Sequence, residues 1–129
     1  MTCIAVIADT PDTIALLEEV ADAHRWDVVT CVATDHTDAA VQLSEPDVVM
    51  VDLDTLKLEV ELVDAFRHNP ATSAIPIVVC SSDRYQLKDQ QNHLDAMVDA
   101  VLVKPFDLTD LDRCLDFALS CGMEKATTT

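Results

Sequence analysis

Five short, strand-like runs, four apolar and one β-branched, punctuate this 129-residue chain, and the four apolar ones stop at a residue with a reactive or charged side chain. Residues 4–8 end at Asp9, 48–51 at Asp52, 75–80 at Ser81 and 100–103 at Lys104, while 28–33 form the remaining run. Runs this short with no polar alternation read as strands buried on both faces. Amphipathic stretches separate them. Ile14, Leu17, Val20, Ala21 and His24 recur at helical spacing, with Thr10 as a candidate N-cap and Pro11 at the first helical position. A second, short helix is predicted over 38–44, ended by Pro46, and a third carries Leu58, Leu62, Ala65 and Phe66 and stops near Asn69-Pro70. A polar fourth helix is predicted over 84–96. The fifth uses Leu111, Leu115 and Ala118, with Thr109 and Asp112 as a capping box and Gly122, the only glycine, as its C-cap. Strands alternating with helices imply an α/β domain with a parallel sheet covered on both sides. The expected organisation is one domain over 1–122 and a polar tail over 123–129.

Charge narrows the function. Eight basic against 24 acidic residues give a formal charge of −16, which repels nucleic-acid phosphates and anionic membranes. No apolar run is long enough to span a bilayer and no basic N-terminal region precedes an apolar one, so the expected location is the cytoplasm. The five cysteines form no C-x-x-C pair, and reduced thiols are expected. His24, His36, His68 and His93 lack ligand spacing and are expected to be solvated surface residues. With a single glycine there is no glycine-rich phosphate loop, which argues against a flavin- or nucleotide-type cofactor binder.

In an open α/β sheet, ligands bind beyond the carboxyl ends of the strands, beside the point where strand order reverses. Asp9, Asp52, Ser81 and Lys104 would therefore converge on one cleft. Two carboxylates suit a hard divalent cation, a lysine with that cation neutralises charge on a transferring phosphoryl group, and a carboxylate can be the acceptor. Any one of these residues could be a strand-end group facing water. Four of them, each at its own strand end, make that reading much weaker.

These segments resemble the response-regulator receiver domains, whose best-known single-domain members serve chemotaxis. The resemblance spans essentially the whole chain. It is carried by Val6-Ile7-Ala8-Asp9-Thr10-Pro11-Asp12, by Asp47-Val48-Val49-Met50-Val51-Asp52-Leu53, by Ile75-Pro76-Ile77-Val78-Val79-Cys80-Ser81-Ser82 and, most specifically, by Val101-Leu102-Val103-Lys104-Pro105-Phe106. It implies a flavodoxin-like, doubly wound sheet of five parallel strands in the order 2-1-3-4-5 with five helices. It also implies that Asp52 accepts a phosphoryl group from a sensor histidine kinase or phosphotransfer protein. Mg²⁺ would be held by Asp9, Asp52 and the backbone carbonyl of Asp54. Ser81 would donate to the phosphoryl oxygens, Lys104 would pair with Asp52 and then with the phosphoryl group, and the Lys104–Pro105 peptide would be cis. The expected output is binding of a downstream protein rather than turnover of a substrate, so the chain is not expected to be an enzyme. Two departures stand out. Ala8 fills the slot of the first of two adjacent acids, and Val101 stands where an aromatic switch residue is common. Both favour the alternative of a pseudo-receiver, an interaction module with weak or no phosphotransfer.

Overall fold

The computed structural model describes residues 2–8, 11–31, 45–52, 66–70, 73–82, 98–104 and 106–127. Five parallel strands form one sheet: β1 (Cys3–Ile7), β2 (Asp27–Cys31), β3 (Val48–Asp52), β4 (Ile77–Ser81) and β5 (Ala100–Val103). Their order is β2-β1-β3-β4-β5, as the resemblance implied. The chain steps from β1 outward to β2 and returns across β1 to β3, so the strand order reverses between β1 and β3.

The central strands β1, β3 and β4 are buried on both faces, which is why their interiors are apolar, while the edge strands β2 and β5 keep exposed positions such as Thr30, Val101 and Val103. Ile4, Val6, Val48, Met50, Val78, Cys80 and Leu102 share one cluster with Leu17 and Val20 of α1 (Pro11–His24) and Leu111, Leu115 and Ala118 of α2 (Leu108–Thr127). The alternate residues Ala5, Ile7, Val49, Val51, Ile77 and Val79 are also buried. Since successive side chains point to opposite faces, these six belong to the other side; Phe66, which is not part of that cluster, is also buried. Burying each large aliphatic side chain contributes roughly 1.5–3 kcal/mol.

Described helical structure consists of α1, a turn at 66–68 and α2. The second and fourth helices expected from the sequence, and most of the third, lie outside the described residues, as does Thr10. Two expectations for α2 need correction. The reciprocal cap is two residues earlier than expected: the Asp110 N–H donates to Asp107 Oδ1 at 2.8 Å and the Asp107 N–H to Asp110 Oδ2 at 3.4 Å. Asp107 offers the same short oxygen acceptor as a threonine, and it directly precedes the first helical residue. The helix also does not end at Gly122 but runs on to Thr127, and no glycine has positive φ. A glycine inside a helix costs about 1 kcal/mol relative to alanine, and Met123, Glu124, Lys125 and Ala126 are strong helix formers that outweigh it.

The end of α1 carries a cost of its own. The Trp26 N–H donates to the Ala21 carbonyl at 2.8 Å and the Arg25 N–H to that of Asp22 at 3.2 Å, the paired bonds of a Schellman closure. Arg25 stands at the left-handed position with φ of 60°, where glycine is usual. Releasing that strain, less the extra unfolded-state entropy of glycine, should make Arg25→Gly more stable by roughly 0.5–1 kcal/mol. Urea unfolding checks this, and a less stable variant would show that the arginine side chain contributes more than its backbone costs.

Candidate phosphoryl-acceptor site

The residues singled out from the sequence fall at one edge of the sheet. Asp52 is the last residue of β3, adjacent to the reversal point, and its side chain shares the face of Val48 and Met50. It is fully buried. Two strands away, Lys104 follows β5, and its Nζ donates to Asp52 Oδ2 at 2.8 Å. Its side chain is 18% exposed, so the ammonium sits at the mouth and the carboxylate beneath it. Ser81 closes β4 between them, fully buried. By alternation it belongs to the face of Ile77 and Val79, opposite that of Asp52. The Lys104 N–H donates to the Ser81 carbonyl at 2.9 Å, which locks the two backbones together.

Asp9, Asp54 and Pro105 lie outside the described residues, and with them the expected second carboxylate, the carbonyl ligand and the cis peptide. Ala8, just past β1, is 5% exposed and packs in the apolar cluster with Leu17 and Met50. The slot of the missing acid is thus part of the core wall. Val101 is 37% exposed on β5.

Sequence reasoning missed what holds this edge in register. At the opposite end of the sheet, Arg67 donates from Nη1 to the carbonyls of Ser73 and Ile75, at 2.9 and 2.8 Å, and from Nη2 to Asp99 Oδ2 at 3.0 Å. The same carboxylate oxygen accepts the Ile77 N–H at 2.9 Å, while the Asp99 N–H donates to the Ile77 carbonyl at 2.9 Å. One guanidinium therefore ties the loop before β4 to the residue before β5. A second brace joins Cys3 and Asp47, whose N–H groups donate to Asp47 Oδ2 and to the Cys3 carbonyl, both at 2.7 Å. These braces set which residues reach the carboxyl edge together. An Asp directly before an apolar strand is the available sequence signal.

Hard oxygen donors are what Mg²⁺ requires, usually one or two carboxylates completed by water and phosphate oxygens. Asp52 is such a donor. Among the described residues no group of three or more His, Cys, Asp or Glu side chains is placed to hold a metal, so a full set would draw on Asp9 and Asp54. Thiol chemistry is disfavoured at Cys114: burial, and then the nearby Asp110 carboxylate, push that thiol up, which keeps it protonated. No helix among the described residues is long and apolar enough to cross a membrane.

No family model matches the sequence, and no curated protein matches it. Solved structures do match. A chemotaxis response regulator of Vibrio cholerae superposes with a TM-score of 0.78 at 19% identity, over 92% of this chain and 98% of that one. A response regulator from Desulfuromonas acetoxidans gives 0.77 at 17% identity, over 93% and 98%. The receiver domain of a sensor histidine kinase from Pseudomonas aeruginosa, which has a magnesium ion coordinated in its active-site cleft, gives 0.77 at 19%, over 92% and 98%. The chain has the fold of the response-regulator receiver domains.

Proposed function

We propose that this chain, built on the receiver-domain fold, accepts a phosphoryl group on Asp52 from a sensor histidine kinase or phosphotransfer protein and passes the signal on by binding another protein. The observation that carries the reading is the 2.8 Å contact between Lys104 Nζ and the buried Asp52 carboxylate, beside the point where strand order reverses. A carboxylate at that edge can attack phosphorus. The new bond joins Asp52 Oδ to phosphorus, and the bond to the donor breaks. Its electron pair stays on the donor's imidazole nitrogen or carboxylate oxygen. Lys104, 2.8 Å from the carboxylate, would follow the charge to the phosphoryl oxygens; the receiver resemblance would have Ser81 donate to one of them, which requires its hydroxyl to turn from the face opposite Asp52. Mg²⁺, held by Asp9, Asp52 and the Asp54 carbonyl, would neutralise charge on the phosphoryl oxygens. The formal charge of −16 argues against nucleic acid or an anionic membrane as direct partner.

Beryllofluoride, a phosphoryl mimic, tests the reading in solution. With Mg²⁺ present it should raise the melting temperature by roughly 5 °C or more, since saturating a site about a hundredfold above its Kd contributes about 2.7 kcal/mol. No shift at any concentration would favour the pseudo-receiver, the second reading, which draws on the apolar packing of Ala8. Ala8→Asp separates the two. Burying a carboxylate there should lower stability without metal by about 1–3 kcal/mol. If the slot borders the cation, Mg²⁺ should restore that loss and bind about tenfold more tightly, equivalent to about 1.4 kcal/mol. Calorimetry is the suitable probe, because Trp26 precedes β2 at the far end of the sheet. Lost stability with unchanged Mg²⁺ affinity would show that this slot does not face the ion.

A further inference from the structure

Far from Asp52, α1 and α2 meet at a histidine that the sequence marked as an ordinary surface residue. His24 Nε2 lies 2.8 Å from Asp112 Oδ1, across 88 positions of sequence. The imidazole also stacks on the Trp26 indole, with centroids 4.2 Å apart and planes 12° from parallel. The Schellman closure at Arg25 is what turns Trp26 back against the last turn of α1. A cleft of about 260 Å³ opens beside the contact, lined by Glu19, Ala23 and His24 from α1 and by Leu108, Thr109 and Asp112 from α2.

We propose that His24 and Asp112 form a proton-sensitive tie between α1 and α2, with the Trp26 ring as the plate on which it rests. When neutral, the imidazole makes one ordinary hydrogen bond to Asp112. When charged, it makes an ion pair with that carboxylate, a cation–π contact with the indole and a favourable contact with the carbonyl end of α1. Among the described residues, the charged groups that line the cleft beside the ring are Glu19 on its own helix and Asp112 on α2, and Arg25 is next in the chain. Of these, Asp112 is in hydrogen-bond contact. Protonation of the ring therefore tightens the grip of α1 on the first turns of α2. The inference does not depend on phosphoryl transfer.

Trp26 is the only tryptophan, so its emission reports on the tie directly. A stacked imidazolium quenches indole emission. Wild-type emission should therefore fall on acidification from about pH 8 to about pH 5. His24→Gln should give a flat profile, and Asp112→Asn a step of less than half the wild-type amplitude, because the ring is no longer held against the indole. Circular dichroism confirms that each variant is folded, and β1 and the rest of α1 do not depend on either side chain. A wild-type step that survives His24→Gln would assign the quenching to another group and overturn the proposal. An Asp112→Asn profile identical to wild type would show that the carboxylate does not hold the stack, and would overturn it equally.

Discussion

Arg67→Met should lower the unfolding free energy by about 3 kcal/mol, because it leaves a mostly buried carboxylate without its cation. Arg67 and Asp99 are 13% and 10% exposed, so little water is at hand to replace the lost bonds. Three donors vanish at once, and the carbonyls of Ser73 and Ile75 lose their guanidinium partner. The methionine still covers apolar surface, which confines the change to the polar brace. Arg67→Lys should fall between the two, since a single ammonium cannot reproduce the planar fork that reaches two carbonyls and a carboxylate. Urea unfolding gives the difference. A loss below about 1 kcal/mol would mean that the brace is no stronger than a surface ion pair.

Lys104→Met and Asp52→Asn should have opposite signatures although they break the same contact. Removing the lysine takes the facing cation from a fully buried carboxylate and should cost about 2–3 kcal/mol in the absence of divalent cation. Removing the charge on Asp52 leaves an ammonium that is already at the mouth of the site and can still donate to the amide oxygen, so Asp52→Asn should stay within about 1 kcal/mol of wild type. Millimolar Mg²⁺ should restore much of the stability lost in Lys104→Met and do little for Asp52→Asn, because the ion supplies charge only where a carboxylate remains. Phosphorylation of Lys104→Met should be slowed about a hundredfold through the loss of one preorganised charge at the reacting group. Equal stability of the two variants without metal would contradict the placement of Lys104 over an ionised Asp52.

The strands and their end residues were legible because burial on two faces demands continuous apolar runs, and a polar residue can follow only where the strand meets the carboxyl edge. Asp52, Ser81 and Lys104 were found in this way. Burial of Cys80 within β4 followed from the same runs, whereas Cys3 at the start of β1 is only partly buried. Contacts that join distant segments were not legible. Arg67 and Asp99 are 32 positions apart and His24 and Asp112 are 88 apart, and no periodicity encodes such pairs. The start of α2 was misplaced because Asp107 and Asp110 satisfy the same spacing rule as Thr109 and Asp112. Asp112 is instead engaged by His24. Its far end was misplaced because one glycine was given more weight than the helix formers after it. The left-handed Arg25 had no signal in residue type, since any residue but proline can be forced there when the closure around it is strong.

Intact mass spectrometry after incubation with Mg²⁺ and a small acyl phosphate tests most directly whether Asp52 is the phosphoryl acceptor. Wild type should gain the mass of one phosphoryl group, lose that gain when Mg²⁺ is chelated beforehand, and show no gain as Asp52→Asn. Equal labelling of wild type and Asp52→Asn would place the acceptor elsewhere, and a folded wild type that takes up no phosphoryl group under any of these conditions would contradict the account.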